Sequence, residues 1–539
     1  MKSRHAWFLG FTAVFAVLAA GVFWGTWSLD VVPVMPDAAT TYPADHISRT
    51  LRGILESGRF IPLDLIGLTG APYLWQELRF ALALYLAALG LVYLCRGRGL
   101  SRPASYGAGL LLGFCGYWAT LFSAGHYGWF QWMAHGMFAF GLADRAVTRG
   151  KLRHWLLLGA VVAWASFNQQ DLWLLFTVFT TIYFVWCCVR ERKLPWKGAL
   201  VALVTFLLVG LPNIVDQFQG GVIKGREEQI AKGDNITNKN ASDAEKRWEF
   251  VTNWSLPTED TLEFFSSRVH GDTSCPFVLS INGWKGVCPY DGALGRPLNA
   301  PRGNYRQHSV YVGWVTCLLA LCGVVSIFFS AAGRRADRVF FTVAALVFYS
   351  LSLGRYFEAA YRVVFALPLG DLIRCPVKWH HLTELCLAVL AAYGVDFLMA
   401  CARRLNLQGR LAQIAAYAPL LLVLWGAIDL AMEAHRFCAP VSVREARRTN
   451  SSQQMTIMKR ADFQNPQVAA MVKSGRIVSI ANYMGSPDYY VVGILEKFGP
   501  REKGQITGKK AALGAVSVLM TLLVAIYSIF VVARPRNMV

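Results

Sequence analysis

Long apolar runs separated by short basic segments set the pattern of this chain. The runs lie at 6–27, 80–95, 104–124, 128–143, 155–168, 171–189, 198–215, 309–331, 339–353, 380–401, 411–434 and 511–533. A helix crosses the hydrocarbon core of a bilayer with about 20 apolar residues, so the pattern predicts an all-α polytopic membrane protein with about 12 transmembrane helices. The first run, "AWFLGFTAVFAVLAAGVFWGTW", is longer than a signal-peptide core of roughly 7–15 residues and no A-x-A site follows it, so it reads as an uncleaved anchor. An even number of spans puts both termini on one side.

Basic residues in the short connections choose that side. With the N-terminus inside, the inside segments are 1–5, 95–103, 144–154, 190–197, 333–338, 402–410 and 534–539, which hold 21 Lys and Arg against the three acids Asp144, Glu191 and Asp337. This excess of 18 is nearly all of the chain's +20 net charge. The basic character is therefore mainly a signal of orientation, and nucleic acid is not an expected partner despite a pI near 9.6. The expectation is an integral membrane protein with both termini cytoplasmic. Composition agrees: 55% of residues are hydrophobic and only 16% charged, with a mean hydropathy of +0.38.

The long loops then fall outside, at 28–79, 216–308, 355–379 and 435–510. Residues 1–215 read as an N-terminal transmembrane module with the external first loop, and 216–308 as an external loop or subdomain. Residues 309–434 read as a C-terminal transmembrane module carrying the basic segment 355–379. A second external loop or subdomain, 435–510, precedes the last helix and tail, 511–539. Within it, "GRIVSIANYMGSPDYYVVGILEKFG" reads as short strands around a Gly-Ser-Pro turn, a small β-containing segment. Cys275 and Cys288 share the 216–308 loop, where a disulfide would persist outside the cell, although their spacing fixes no geometry.

Candidate chemistry gathers in the external segments. In "DHISRTLRGILESG" (45–58), Ile47, Leu51, Ile54 and Leu55 share one helical face, as in a helix lying on a membrane surface or packed on other protein. Just before it stand Asp37, between Pro36 and Pro43, and Asp30, close to the membrane boundary. A carboxylate there, in a cavity of lowered dielectric, is able to act as a general base. His126 occupies a short external turn among Tyr127, Trp129 and Trp132, and Gln169, Gln170 and Asp171 form the next such turn.

The segment "DLIRCPVKWHH" (371–381) is the most cationic feature that orientation does not explain. Arg355, Arg362, Arg374 and Lys378 lie outside, and "AAYRVVFALPLGDLI" is too short to span, so it reads as re-entrant or interfacial. Arg374, Lys378, His380 and His381 then stand at headgroup level, where an arginine fork can grip phosphate through two hydrogen bonds. Snorkelling to ordinary lipid headgroups accounts for the same residues. An external transferase has no nucleotide-activated donor, so these features suit a donor carried on a polyprenyl phosphate.

The stretches "PDAATTYP", "LCRGRGLSRPASYGAGLLLGF", "SAGHYGW" and "LSLGRYFEAAYRVVFALPLGDLIRCPVKWHHLTELCLAVLAAYG" resemble the GT-C glycosyltransferases, and more closely their bacterial YfhO-like branch. The resemblance covers most of 1–400. It implies a polytopic enzyme that takes a sugar from a polyprenyl-phosphate-linked donor at the external face and moves it to an envelope polymer, lipid or protein acceptor. It also implies a catalytic aspartate in the first loop, where Asp37 matches, and places Arg374 in a late R-x-P segment. Arg355 and His126 are further substrate-binding candidates, and membrane lipid is an implied partner. Many GT-C enzymes pair two acids in the first loop, whereas Asp37 is followed by Ala38 and Ala39. That departure argues against a divalent metal, and no other cofactor is expected. Two competing readings are a secondary transporter, which shares the span count, and a non-catalytic membrane component of envelope polysaccharide assembly.

A cysteine placed at residue 99 or within 402–410 is expected to resist a membrane-impermeant thiol reagent in intact cells and to react after permeabilisation. Labelling of residue 99 from outside would overturn the external location of the basic segment.

Overall fold

The structure is a computed structural model that describes residues 2–24, 75–124, 127–167, 170–218, 227–231, 240–267, 279–280, 283–284, 310–329, 332–367, 370–404, 409–438, 453–459, 465–467, 470, 477–482, 489–495 and 508–533. Asp30, Asp37, His126, the 45–58 helix, Cys275 and Cys288 lie outside the described residues.

Helices dominate. The first half of the bundle comprises α1 (Lys2–Val22), α2 (Trp75–Gly97), α3 (Arg102–Gly113), α4 (Gly116–Ala124), α5 (Tyr127–Arg149), α6 (Leu152–Ser166), α7 (Gln170–Glu191) and α8 (Trp196–Phe218). A short helix, α9 (Asp243–Thr252), precedes α10 (Trp314–Val325), α11 (Ala332–Ser352), α12 (Glu358–Phe365), α13 (His380–Arg404), α14 (Gly409–Cys438) and α15 (Gly508–Ala533).

Among the described residues, six helices are long and apolar enough to cross a membrane: His5–Val22, Leu78–Gly97, Asp171–Glu191, Trp196–Val215, Pro376–Arg404 and Tyr417–His435. A seventh results if Arg335–Ser352 and Gly354–Phe365, bent by 113°, count as one span. The described residues are thus mostly helical, with apolar helices that suit a membrane-embedded protein, but by length and composition they do not give twelve spans.

The physical reasons differ from run to run. Run 104–124 is not one helix: it ends at Gly113 and restarts at Gly116, whose amide donates to the Tyr311 carbonyl at 3.0 Å. Irregular backbone at membrane depth survives when protein satisfies it in this way. Its halves have 12 and 9 residues, too few to cross about 30 Å at roughly 1.5 Å per residue. The same arithmetic excludes α6, with 15 residues, and α10, with 12. Helix α5 has the length, at 23 residues, but carries His135, Asp144 and Arg145.

Helix α13 is the centre of the second half. It packs on α10, α11, α3 and α14, and most of its length is buried. Its approach to α10 depends on two glycines. A Cβ on Gly394 would collide with the Leu319 carbonyl, and one on Gly323 with the Leu390 carbonyl. Such small-residue crossings let helix backbones touch where lipid supplies no hydrophobic drive for association. At the periphery, α7, α8 and α14 expose Val185, Val189, Leu200, Leu203, Leu421 and Trp425, the expected lipid-facing belt.

Strands appear where the second external loop was expected to hold them. β3 (Gln453–Lys459), β4 (Ile477–Asn482) and β5 (Tyr489–Leu495) form an antiparallel sheet in the order β3-β5-β4. Met458 pairs with Tyr490, as does Asn482 on the other side, and a bulge lies between Ile477 and Ser479. A two-residue pair, β1 (Leu279–Ser280) with β2 (Gly283–Trp284), lies in the 216–308 loop.

One end of the bundle is closed by an ion network. Arg98 donates to Asp144 at 2.8 Å and to Asp337 at 2.9 Å, and Arg190 donates to the same two acids at 2.9 Å each. Trp186 adds an indole N–H to Asp337 at 3.3 Å. Both aspartates are almost fully buried, with side-chain exposures of 1% and 3%. The four charged groups come from the end of α2, from α5, from α7 and from α11, in four segments assigned to one side of the membrane by charge. Close by, the Ser101 amide donates to Asp396 of α13 at 3.0 Å while its hydroxyl caps α3 at Ala104.

Replacing Asp337 with alanine leaves the largely buried guanidinium groups of Arg98 and Arg190 sharing Asp144, with the more exposed Glu191 as a further partner of Arg190. The expected cost is about 3–5 kcal/mol, read as a lowered unfolding midpoint of the detergent-solubilised protein. An exposed cation such as Arg149, changed to glutamine, is the control that should shift the midpoint little.

Candidate functional site at the opposite end of the bundle

The other end is built from irregular backbone. Helix α11 stops at Ser352, and Gly354, at φ +51°, turns the chain into a 3-10 turn (Gly354–Phe357) and then α12. A side chain at Gly354 would collide with Ser255 and Pro376, so only glycine fits this corner. Beyond α12, a 3-10 turn at Gly370–Leu372 leads to Cys375, itself at φ +65°, and to a second 3-10 turn, Pro376–Trp379, that runs into α13.

The loop after α9 locks this segment by backbone pairing. The Cys375 amide donates to Val251 at 3.0 Å, Val377 to Trp254 at 3.2 Å, and Leu256 to Ser352 at 2.9 Å. Helix α9 starts with a capping box in which Ser242 and Glu245 bond each other's backbone amides.

Arg355 completes the other end of α9. Its guanidinium donates to the carbonyls of Thr252 at 3.1 Å and Glu249 at 3.3 Å, and to the Thr252 hydroxyl at 3.2 Å. These carbonyls lie in the last turn of α9, at the negative pole of the helix, so Arg355 is engaged in holding α9 in place. Arg247 extends the clamp, reaching Asp371 and Glu227 at 2.6 Å each.

Lys378 and Asp171 form a buried ion pair, each side chain 7% exposed. The Asp171 carboxylate also accepts the Leu172 amide at 2.9 Å in the first turn of α7, an acid at the positive pole of a helix. This pair joins the turn before α13 to α7 across 207 residues of sequence.

Below it, His380 and His381 share Glu384. Their ring nitrogens lie 3.5 and 3.3 Å from its two carboxyl oxygens, and all three side chains are buried. Aromatic rings enclose them. His381 stacks on Tyr117 at 4.4 Å and on Trp118 at 4.5 Å, and His380 meets Phe264 at 4.4 Å. Glu384 lies four residues after His380 and three after His381, so its carboxyl comes within reach of both rings on one helix.

Arg374 is half-buried, with its guanidinium 4.3 Å above the Phe250 ring, and among the described residues it has no carboxylate partner. Arg362 lies over Trp248 at 4.5 Å and pairs with Glu358 at 3.3 Å on the exposed face of α12. Tyr311 donates its hydroxyl to Asp429 on α14, and burial, with that carboxylate, pushes the Tyr311 phenol up.

The structure therefore gathers Arg355, Arg374, Lys378, His380 and His381 at one end of the bundle. Asp30, Asp37 and His126 lie outside the described residues. Two partners went unassigned in the sequence reading. Glu384 was legible from the spacing in "HHLTE", whereas nothing local pointed from Asp171 to Lys378. Among the described residues, no group of three or more His, Cys, Asp or Glu is placed to hold a metal ion. No protein-family model matches the chain, and no curated protein matches it.

Changing Asp171 to asparagine strands the Lys378 ammonium in an apolar setting and should cost about 3–5 kcal/mol in unfolding free energy. Adding Lys378→Met should return most of that loss, because no uncompensated charge remains. Additive losses in the double variant, measured by denaturation in detergent, would show that the two side chains do not act as a pair.

Proposed function

We propose that this chain is a membrane glycosyltransferase that takes a sugar from a polyprenyl-phosphate donor and passes it to an envelope glycan, lipid or protein. In this reading it sits in a bacterial inner membrane with both termini cytoplasmic, and the Arg374 end of the bundle faces outward. The observation that carries the proposal is the contrast between Arg374 and Lys378. The lysine is neutralised by Asp171, and the arginine has no carboxylate partner among the described residues and stands near the helix pair bent by 113°.

That helix supports the reading. The bend puts Tyr356, Phe357, Val363 and Leu367 outward, 43–65% exposed, as a short amphipathic element suited to the interface of a bilayer. A lipid phosphate reaching that level would meet Arg374, whose fork donates two hydrogen bonds to one phosphate.

The chemistry follows. A base, Asp37 by family resemblance, takes the proton of the acceptor hydroxyl. The hydroxyl oxygen bonds to the anomeric carbon as the bond from that carbon to the phosphate oxygen breaks. The electron pair leaves with the polyprenyl phosphate, and Arg374 stabilises the charge growing there. Arg355 and the Lys378–Asp171 pair hold the shape of the site instead of touching the donor.

A second reading, ion-coupled transport, has its own observation. Glu384 and two histidines are buried inside a helix long enough to span, and ionisable groups at such positions often mark proton pathways.

The test is incubation of the purified protein with labelled polyprenyl-phosphate sugars and an envelope extract. Transfer is expected, and Asp37→Asn should abolish it with little loss of folded protein. Arg374→Lys keeps the charge but loses the fork, and should lower the rate ten- to hundredfold, corresponding to about 1.5–3 kcal/mol. Arg362→Lys should change it little. Absence of transfer, together with proton-dependent flux in proteoliposomes that Glu384→Gln eliminates, would favour the transporter.

A further inference from the structure

The turn between α5 and α6, at the end of the bundle closed by the ion network, is charged in a way its own structure does not neutralise. Arg145, Arg149, Lys151 and Arg153 fall within nine residues, and the neighbouring acid, Asp144, is taken by Arg98 and Arg190. Three features make this more than a solvated basic loop.

First, the cations stand at the wrong pole of a helix. Lys151 is the N-cap residue of α6 and provides no side-chain cap, Arg153 lies in the first turn, and that turn holds no acid. A helix N-terminus is already positive, so basic residues there are unfavourable unless an anion offsets them.

Second, polar atoms at this turn are buried without partners. His154 is 2% exposed and bonds the Arg145 backbone, and its Nδ1 has no hydrogen-bond partner among the described residues. Arg145 is held by its guanidinium 3.3 Å from the Tyr93 ring centroid and by a bond to the Tyr93 carbonyl at 3.0 Å, which leaves a buried Nε unpaired. Burial, then Arg153, Arg145 and Arg149 in that order, hold the His154 imidazole down at about 4, so these cations act on one small volume.

Third, the surroundings are those of a headgroup layer. Leu152, Leu194 and Trp196 are 49%, 79% and 61% exposed, and Lys197 lies 5.6 Å from the Trp196 ring. The starts of α6 and α8 are neighbours, since a Cβ on Gly198 would collide with the Trp155 indole. Exposed tryptophan beside lysine is characteristic of the interface between hydrocarbon and water.

We infer that this turn binds the phosphate of an anionic phospholipid headgroup, with Arg149, Lys151 and Arg153 as its cations and the free amides at the start of α6 as its hydrogen-bond donors. Such binding is independent of the chemistry proposed for the opposite end. It matches the general attraction of basic clusters near a membrane surface for anionic lipid. The phosphate also offsets the repulsion among the three arginines around His154.

Thermal unfolding of the full chain in a non-ionic detergent tests the inference. Short-chain phosphatidylglycerol should raise the wild-type Tm by roughly 3 °C or more at saturation, and short-chain phosphatidylcholine should do much less. The exposed pair Arg149→Gln/Lys151→Gln should unfold near the wild-type temperature without lipid and lose most of the shift. Arg153→Gln provides a second variant with the same expectation. Inorganic phosphate that reproduces the shift in wild type, and not in the variants, would identify free phosphate as the source of the same bound group. An equal shift in wild type and both variants, or no shift with either anion, would overturn the proposal.

Discussion

Charge inside an apolar bundle has to be neutralised on the spot, and this requirement organises the fold. Asp144 and Asp337 are two of only three acids in segments otherwise filled with lysine and arginine. They are also the carboxylates that draw Arg98 and Arg190 into a shared, nearly dry volume. Each arginine touches both acids, so moving any one of the four helices breaks two contacts at once. Attraction in a medium of low dielectric is strong, and so is the penalty for a vacancy. The network therefore fixes how α2, α5, α7 and α11 meet, while packing such as the Gly323–Gly394 crossing sets how closely their neighbours approach.

The two ends of the bundle use charge differently. At the network end, regular helices finish in ion pairs. At the other end, α11 breaks, three 3-10 turns lie between it and α13, and both Trp254 and Cys375 take the left-handed conformation although neither is glycine. Each such residue costs on the order of 1–3 kcal/mol, and strain of this kind persists only where surrounding contacts hold it. Here the backbone bonds from Cys375 to Val251 and from Val377 to Trp254 do so, with Arg355 clamping the end of α9 beside them. Irregular backbone is tolerated at membrane depth where it is covered by protein or lines a cavity.

Much of this arrangement was legible in sequence, and the losses have identifiable causes. The bias of Lys and Arg grouped residues 98, 144, 190 and 337 on one side, and their side chains touch. The bent segment after Ser352 and the strands at 477–495 were also readable, because Pro, Gly and period-two alternation are local signals. The span count was not. Run 104–124 is apolar throughout, so hydropathy passes over the break at Phe114 and Cys115, which exists because Tyr311 offers a carbonyl from elsewhere in the chain. The basic segment was read as one cationic cluster. Its members have separate tasks that depend on distant partners: Arg355 on α9, Lys378 on Asp171 and Arg374 on Phe250. Spacing within 355–381 carries no trace of those partners. The pairing of both histidines with Glu384 depends on spacing alone and could have been found.

The division of labour within that segment also bears on the choice between transfer and transport. A proton pathway needs its carboxyl to meet water on each side in turn. Glu384 instead lies at 0% exposure between two imidazoles that are themselves covered by Tyr117, Trp118 and Phe264. In this conformation the cluster is sealed, and opening it would require rings stacked at about 4–5 Å to separate, which forfeits their mutual contact. Phosphate handling makes no comparable demand. Arg374 is only partly buried and is steadied by an aromatic face, and a planar guanidinium so held loses little freedom when it grips an anion. The buried His–Glu–His group then reads as a rigid polar floor that sets the direction of the first turn of α13. Under the transfer reading proposed above, the residue free to act is Arg374, which has no carboxylate partner among the described residues.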